Sequence, residues 1–449
     1  MSYTLVLLLL LGLGSHAQRV AVVGGGIAAA ALLRHLDPAL DVHVFERGTR
    51  LGGRLGETWI GSVSVETGGS VLHSSNRYML QFLNELDLDQ SKDSDATMGF
   101  WEHGFKFVSS KESWKTALKM LWRYGFSHLI TSRLVADVQS KWERVYDLQR
   151  QNVSFKSPKD MFEALGLFKM TQVDAKSFLM QHWVSELYID EFVDAISRVN
   201  YGQRSELNAF VDSVSLIGAG MSGHLWSVEQ GNSVVVEQLI KKYADAIHLG
   251  TLVKRIEHDP LANKFTIHSE KTLSGLTQSQ PFDVVVIATP IETSDIQFNV
   301  NCFSASATRK FVKTHVTFVN GKVNPRLFNS ANDVPDIIVN LERESSLPFR
   351  SLSVHAILED GSFIYKLFSD SVLADAQIGR IFSPIIEVQR FSYKAYPYLE
   401  PTPIWPEFEI LPGLFYLNAM ESAVSCMETE AVAGKNVAVL VNAYSSKVL

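Results

Sequence analysis

Apolar and polar positions change rhythm several times along the chain. Arg19-Val20-Ala21-Val22-Val23 and the stretch from Phe282 to Ala288 are apolar runs of strand length. That is the pattern of parallel strands buried on both faces. Val42-His43-Val44-Phe45 predicts a second strand, and Ile247 to Ile256 is strand-like. From Tyr78 to about Val211 apolar residues recur at i, i+3, i+4 spacing, as in Met161 to Phe168 and Phe178 to Ile196. This region reads mainly as helices. Trp226 to Asn232 closes a loop ahead of an apolar helix from Val234 to Ile240. Phe311 to Val323 alternates, and its Asn320-Gly321 pair predicts a two-residue hairpin turn. Near the end, Gly413 to Asn418 predicts a strand. Ala419 to Val441 predicts a helix rich in small residues: Ala423, Ala431, Ala433, Gly434 and Ala438.

Composition narrows the classes. The 449 residues are 46% hydrophobic and 20% charged, with a formal net charge of −7. That is ample apolar material for a large core and length for two or three domains. A mildly acidic chain without a long Lys/Arg run is a poor nucleic-acid binder. Two cysteines, Cys302 and Cys426, form neither a disulfide framework nor a Cys-rich zinc site. The one strongly apolar terminal run, Leu5 to Leu13, is too short to span a bilayer, and no second apolar run approaches the length of a spanning helix. Small residues at Ser15 and Ala17 follow it, so residues 1–17 read as a secretory signal cleaved after Ala17, although no Lys or Arg precedes the run. A secretory route makes Asn152-Val153-Ser154, the only Asn-x-Ser/Thr, a candidate glycosylation site.

The chemistry begins directly after the first strand. Gly24-Gly25-Gly26-Ile27-Ala28-Ala29 fits G-x-G-x-x-G/A through Gly24, Gly26 and Ala29. The first glycine makes the tight turn, the second admits a pyrophosphate to the backbone, and the third position keeps helix and strand close. The helix N-terminus adds free N–H groups and a positive dipole. Glu46 ends the second strand 22 residues after Gly24, placed to accept both ribose hydroxyls. Strand, glycines, helix, strand and acid together specify a dinucleotide site.

The residues after Glu46 separate FAD from NAD. Arg47, then Leu51-Gly52-Gly53-Arg54-Leu55, then Glu66-Thr67-Gly68-Gly69-Ser70 resemble the GG motif of FAD-dependent oxidases related to amine oxidases. Gly53, Gly68, Gly69 and Ser70 offer close backbone approach, and Arg54 a fork of donors for phosphate oxygens. That resemblance also implies Val253 as the strand residue whose backbone meets the adenine. It implies that the last strand and helix return to the cofactor.

Longer strings identify the chain as resembling the prenylcysteine oxidase family over essentially all of the mature sequence. They are Glu66 to His73, Arg198 to Gln203, Asn208 to Val211, Leu225 to Asn232, and Tyr416 to Ala423, which contains Glu421. Departures are slight: Ala29 at the third fingerprint position, Cys426 where the family has a small residue, and an end at Leu449 soon after the last helix. The resemblance implies an α/β fold in which a Rossmann-type FAD-binding domain is interleaved with a substrate domain of mixed sheet and helices. This is the fold of amine oxidases and GDP-dissociation inhibitors. It further implies an FAD-dependent oxidase that cleaves farnesyl- or geranylgeranyl-cysteine to cysteine, a prenyl aldehyde and hydrogen peroxide. The partners are then a small prenylcysteine and oxygen, without nucleic acid, metal or a spanning helix in the mature chain. Location is the lysosome, with secretion the second choice. His73 and Tyr201 lie in family-specific strings and are candidates to face the flavin, each weighed against a purely structural role. The expected division is signal 1–17, FAD-binding segments 18–75, 225–300 and 405–449, a mainly helical substrate region 76–224, and a substrate sheet 301–404. Two other functions stay open: a non-catalytic prenyl-binding protein on this fold, and a different flavin enzyme such as an amine oxidase.

Overall fold

The computed structural model describes residues 17–92, 96–300, 302–303, 308–330, 333–341 and 347–448. The expected signal run at Leu5 to Leu13 lies outside the described residues. The first strand, β1 (Arg19–Val23), pairs in parallel with β2 (Asp41–Phe45) on one side and with Val284–Ile287 on the other. Ala246–His248, Leu414–Tyr416 and Glu409–Leu411 complete a six-stranded sheet drawn from three separate stretches of the chain. Its centre is apolar because both faces are covered: every residue of Val284–Ile287 is fully buried. Each such side chain contributes roughly 1.5–3 kcal/mol of burial.

The helix α1 (Ile27–His35) lies on this sheet with Ala28 to Leu33 buried. Its alanine run lets the C-terminal helix, Met427–Val448, approach very closely. At the crossing stands Gly434, where a Cβ would be 2.7 Å from the Ala28 carbonyl oxygen. The short side chains foreseen near the C-terminus are therefore a close-packing device.

A seven-stranded sheet forms the second large body, in the order Phe382–Pro397, Phe311–Val323, Phe363–Ser369, Ser351–Ile357, Ile337–Asn340, Met98–Trp101, Phe105–Val108. Helices from Ser113 to Ile217 pack beside it, burying Tyr188, Ile189 and Val193 against Phe100 and Val339.

Four local expectations change. The hairpin Met98–Val108 sits inside the stretch read as mainly helical, and joins the substrate sheet by parallel pairing with Ile337–Asn340. Asn320-Gly321 makes no turn: Phe311–Val323 is one strand paired on both sides. Glycine is needed there because a Cβ at Gly321 would stand 2.6 Å from the Pro384 carbonyl oxygen of the neighbouring strand. Ile247 to Ile256 is broken at Leu249-Gly250 into two strands belonging to different sheets. The helix expected from Ala419 begins only at Met427, after a 3-10 segment Leu417–Ser422.

Candidate cofactor and active site

The turn after β1 is built as its glycines require. Gly24 has φ 112°, and a Cβ there would lie 2.5 Å from the Ala288 carbonyl oxygen, so the tight turn excludes any side chain. At Gly26, φ −96°, a Cβ would meet nothing within 4 Å. No side chain caps α1 and no acid occupies its first turn. The start of α1 is therefore an uncapped N-terminus with clear space beside it, as an anionic pyrophosphate requires. Ala29 is fully buried. Glu46 accepts from Gly25 N–H at 2.9 Å through Oε2 and from Gly48 N–H at 2.7 Å through Oε1. Those bonds fix its carboxylate beside the turn, and each oxygen keeps a further lone pair for a hydroxyl. Val253, buried, stands at a bulge in the strand that begins with Thr251 N–H bonded to the Glu46 carbonyl at 2.8 Å. Arg47 is exposed and donates to the Thr293 carbonyl at 3.2 Å.

The second glycine loop is laid directly on the first. Gly52 N–H donates to the Gly25 carbonyl at 2.8 Å, and a Cβ at Gly53 would be 3.3 Å from Gly26 Cα. Arg50 holds this loop through its Nη1, which donates to the carbonyls of Leu55 at 2.6 Å and Leu51 at 3.0 Å. Gly68 is obligatory, since a Cβ would fall 2.0 Å from the Arg54 carbonyl oxygen. A Cβ at Gly69 would meet the Leu55 and Met427 side chains at 3.7 and 3.9 Å, and Ser70 follows half-buried.

A buried cation fixes this strip from the substrate sheet. Lys366, only 3% exposed, donates through Nζ to the carbonyls of Glu66 at 2.8 Å and Gly68 at 3.3 Å. The Glu66 carboxylate in turn accepts from Asn232 N–H at 2.7 Å. Burial pushes Glu66 up and Lys366 down, and each charge offsets the shift of the other.

Arg54 does something other than what its motif suggests. It pairs with the fully buried Glu421, and its Nη1 donates to the Ala395 carbonyl at 2.8 Å. This guanidinium therefore ties the glycine loop to the C-terminal strip, with its side chain still 33% exposed. Burial opposes the charge on Glu421, but Arg54 and Arg309 hold its carboxyl below the ordinary range. Arg309 itself is clamped by Glu292 at 2.7 Å, the Asn418 carbonyl at 2.7 Å and the Tyr416 hydroxyl at 2.6 Å. Burial and the neighbouring Glu421 push the Glu430 carboxyl well above the ordinary carboxylate range, against the pull of Arg54 and Arg309.

The same strip contains buried polar atoms without partners: Asn418 Oδ1, Glu421 Oε2, Ser422 Oγ and both carboxyl oxygens of Glu430. Buried polar atoms are almost always satisfied in a working protein. A run of them beside two abutting glycine loops fits a large polar ligand with hydroxyl and N–H donors, as FAD has.

The two candidates for catalysis are placed differently. His73 is buried, with Nδ1 2.8 Å from Ser75 Oγ and Nε2 against the Ser222 carbonyl. Burial lowers its pKa, and both ring nitrogens are committed to joining two loops. Tyr201 is buried with its ring 4.9 Å from that of Tyr396, beside Cys426. Tyr393 donates to the Thr67 carbonyl at 3.2 Å. An aromatic wall thus stands over the Gly68 strip and the start of the C-terminal helix. Sequence reading missed Arg50, Lys366, Arg309 and Glu430. For Lys366 a signal existed: it is the lone charge in Phe363-Ile364-Tyr365-Lys366-Leu367-Phe368-Ser369.

Comparison with known proteins agrees with this geometry. The family model described as prenylcysteine lyase matches residues 107–447, and the NAD(P)-binding Rossmann-like domain matches residues 22–86. The farnesylcysteine lyase of Arabidopsis thaliana is 30% identical over 94% of this chain and 87% of its own. The prenylcysteine oxidase 1 of Mus musculus is 30% identical over 96% of this chain and 92% of its own. Among solved structures, cyclohexylamine oxidase from Brevibacterium oxydans superposes with a TM-score of 0.64 at 14% identity, covering 96% of this chain and all of the other. A putrescine oxidase bound to putrescine gives 0.59, again at 14% identity, over 95% and 99% of the two chains. These two likenesses establish the shared fold.

Proposed function

The chain belongs to the prenylcysteine lyase family, and from that premise we propose that it is an FAD-dependent oxidase cleaving the thioether of farnesyl- or geranylgeranyl-cysteine. The observation that carries the cofactor assignment is the open side of Gly26, set against Gly53 and continued by unpartnered buried atoms from Asn418 to Glu430. Gly24, Gly26 and the start of α1 would hold the pyrophosphate, and Glu46 the ribose. Val253 would meet the adenine. Gly53, Gly68, Gly69, Ser70 and the Glu421 strip would hold the flavin half.

The chemistry supplied by the bound cofactor is two-electron oxidation of the carbon between sulfur and the prenyl double bond, with oxygen as final acceptor. Overall, prenylcysteine, water and oxygen give cysteine, prenyl aldehyde and hydrogen peroxide. The chain's own part is positional and electrostatic. Lys366 fixes the Glu66 and Gly68 carbonyls, so the strip keeps one conformation. Arg54 and Arg309 at the C-terminal strip are matched one for one by Glu421 and Glu292, so the strip is held by paired charges. Tyr201 and Tyr396 give the apolar wall that an isoprenoid needs. Burial raises both phenols, so this wall carries no charge, which suits a substrate that brings little charge to the reacting carbon.

The secretory route is part of the same reading. Leu5 to Leu13 supports a cleaved signal, and Asn152 is exposed at φ 56° just after a long helix, accessible to glycosylation. A lysosomal destination suits the turnover of prenylated proteins, and secretion is the alternative.

The test is direct. Purified protein starting at Gln18 should be yellow. Farnesylcysteine added without air should bleach it, and air should restore the colour with release of hydrogen peroxide. Cysteine and farnesal should form in equal amounts without NADPH. Flavin that stays oxidised while the ligand binds would replace the oxidase reading by that of a prenyl-binding protein. An N-terminus beginning at Met1, or unchanged mobility after glycosidase, would count against the signal and the glycan respectively.

A further inference from the structure

The helix Ser113–Tyr124 is amphipathic and faces the wrong way for a core helix. It buries only Met120 and Tyr124, while Trp114 (61% exposed), Leu118, Leu121 and Trp122 (89% exposed) point outward together with Ala117. Positions 114, 117, 118, 121 and 122 are one continuous i, i+3, i+4, i+7, i+8 stripe, here turned to solvent. The stripe continues onto Phe126, just before the next helix, and onto Leu129 within it. It also meets a second segment: Ser185 N–H bonds Ser127 Oγ at 3.0 Å, bringing exposed Met180, Trp183 (88% exposed) and Leu187 alongside.

Charge follows the same geometry. At 100° per residue, Lys115, Lys119 and Arg123 form a row along one flank of the stripe, and Lys111 lies just ahead of the helix. Lys111 to Arg133 contains five basic residues and one acid, in a chain whose net charge is −7. Some of this charge is engaged locally: Lys115 with Glu112, Arg123 with Glu191, and Lys119 with the Val108 carbonyl. Beside Trp183, the acids Glu186 and Asp190 are both paired with Lys176. Exposed tryptophans with a basic flank are the composition of a helix that lies in a bilayer interface, the rings at headgroup level and the lysines on anionic phosphates.

We propose that this surface, centred on Trp114, Trp122 and Trp183, docks the protein peripherally on an anionic lipid surface. It is a lying helix, consistent with the finding that no described helix is long and apolar enough to cross a membrane. The benefit to function rests on the prenylcysteine reading, since an isoprenoid substrate is concentrated in bilayers. The docking itself does not depend on catalysis.

The experiment therefore uses no substrate. Full-length mature protein is sedimented with vesicles of phosphatidylcholine alone and of phosphatidylcholine with phosphatidylserine. Binding to the mixed vesicles is expected, weakening as salt rises. W122A/W183A should lower the partition at least about tenfold, and K115E/K119E should lower it roughly tenfold or more on anionic vesicles only. Both double variants should keep the wild-type melting temperature, because these side chains are outside the core. Wild-type protein that stays in the supernatant, or a W122A/W183A variant that binds as well as wild type, overturns the proposal. So does a concentration-dependent dimer abolished by W122A/W183A, which would make a second copy the occupant. In either case the flavin-bleaching test stands or falls on its own.

Discussion

Replacing Glu421 by glutamine keeps the shape of a fully buried side chain and removes one charge. Its Oε1 receives both the Arg54 guanidinium and Ser425 Oγ at 2.8 Å, while Oε2 is buried without a partner. After Glu421→Gln, Arg54 can still donate to the amide Oε1 and to the Ala395 carbonyl, but both are neutral acceptors, so Arg54 loses its carboxylate counter-charge and Arg309 loses a nearby one. A hydrogen bond involving a charged group is worth about 1.5–3 kcal/mol, and stripping one partner from a buried pair costs about 3–5 kcal/mol. Arg54 is 33% exposed, so water recovers part of the loss. The expected cost is about 2–3 kcal/mol. Urea unfolding of the flavin-free protein measures it, with R54Q and R54Q/E421Q completing a cycle. The double variant should be less damaged than the two single losses added, by roughly 1–2 kcal/mol. Retention of flavin through dialysis should fall in the same order. The reasoning fails if E421Q unfolds at the wild-type urea concentration, or if the single losses add without coupling.

Three further outcomes follow from the geometry. Gly26→Ala places a Cβ in open space, so flavin-free stability should stay within about 0.5 kcal/mol of wild type while flavin affinity drops; unchanged affinity by titration would remove the pyrophosphate from this turn. Lys366→Met should melt lower than wild type, and Lys366→Met with Glu66→Gln should regain part of the loss, because the pair is buried together; equal melting of both variants would deny the coupling. His35, its Nε2 buried without a partner, has its pKa lowered to about 3 by burial and by Lys435 and Arg34. The unfolded chain takes up the proton near pH 6.5 and the folded chain does not, so stability present above that pH is lost as pH falls toward 3. Between pH 7 and 5 this amounts to about 2 kcal/mol, and His35→Phe should flatten that part of the stability profile measured by denaturant titration.

The legible parts of this fold are those with local causes. Gly24 is demanded by its backbone conformation and close approach to Ala288, Gly26 leaves open space at the start of α1, and Glu46 follows directly on β2. These requirements are written within 22 residues and read without knowing the rest. The turn signal at Asn320-Gly321 misled because the same glycine also serves close strand approach, and pairing on both sides decided between the two. Arg54 sits where the motif places it, yet its partner Glu421 lies 367 positions away. Lys366 reaches a carbonyl 300 positions away. A lone lysine in an apolar strand announces that something must satisfy it, but the sequence does not state what. The start of the last helix was read too early because Ala419 and Ala423 have helical composition. Instead Leu417–Ser422 forms a tighter segment, held by Arg309 on the Asn418 carbonyl and by Arg54 and Ser425 on Glu421.

Those long-range ties explain why binding and folding should be linked here. Three strips meet at the site, residues 24–26, 52–70 and 418–430, and none is adjacent to another in sequence. Gly52 N–H joins the second strip to the first and Arg54 joins it to the third, while Lys366 ties the second strip to the substrate sheet and Arg309 ties the third to Glu292. The unpartnered buried atoms are concentrated on the third strip, so without ligand it has the weakest internal satisfaction of the three. A ligand that supplies donors there adds stability as RT ln(1 + [L]/Kd), about 4 kcal/mol at a thousandfold excess over Kd. Protection of the backbone amides from Leu417 to Glu430 against hydrogen exchange should therefore rise on adding FAD more than protection of Val20–Val23 or Val284–Ile287, which are already buried. A uniform rise across all of them would mean that the ligand stabilises only the whole fold, and that the third strip is no weaker than the sheet it closes.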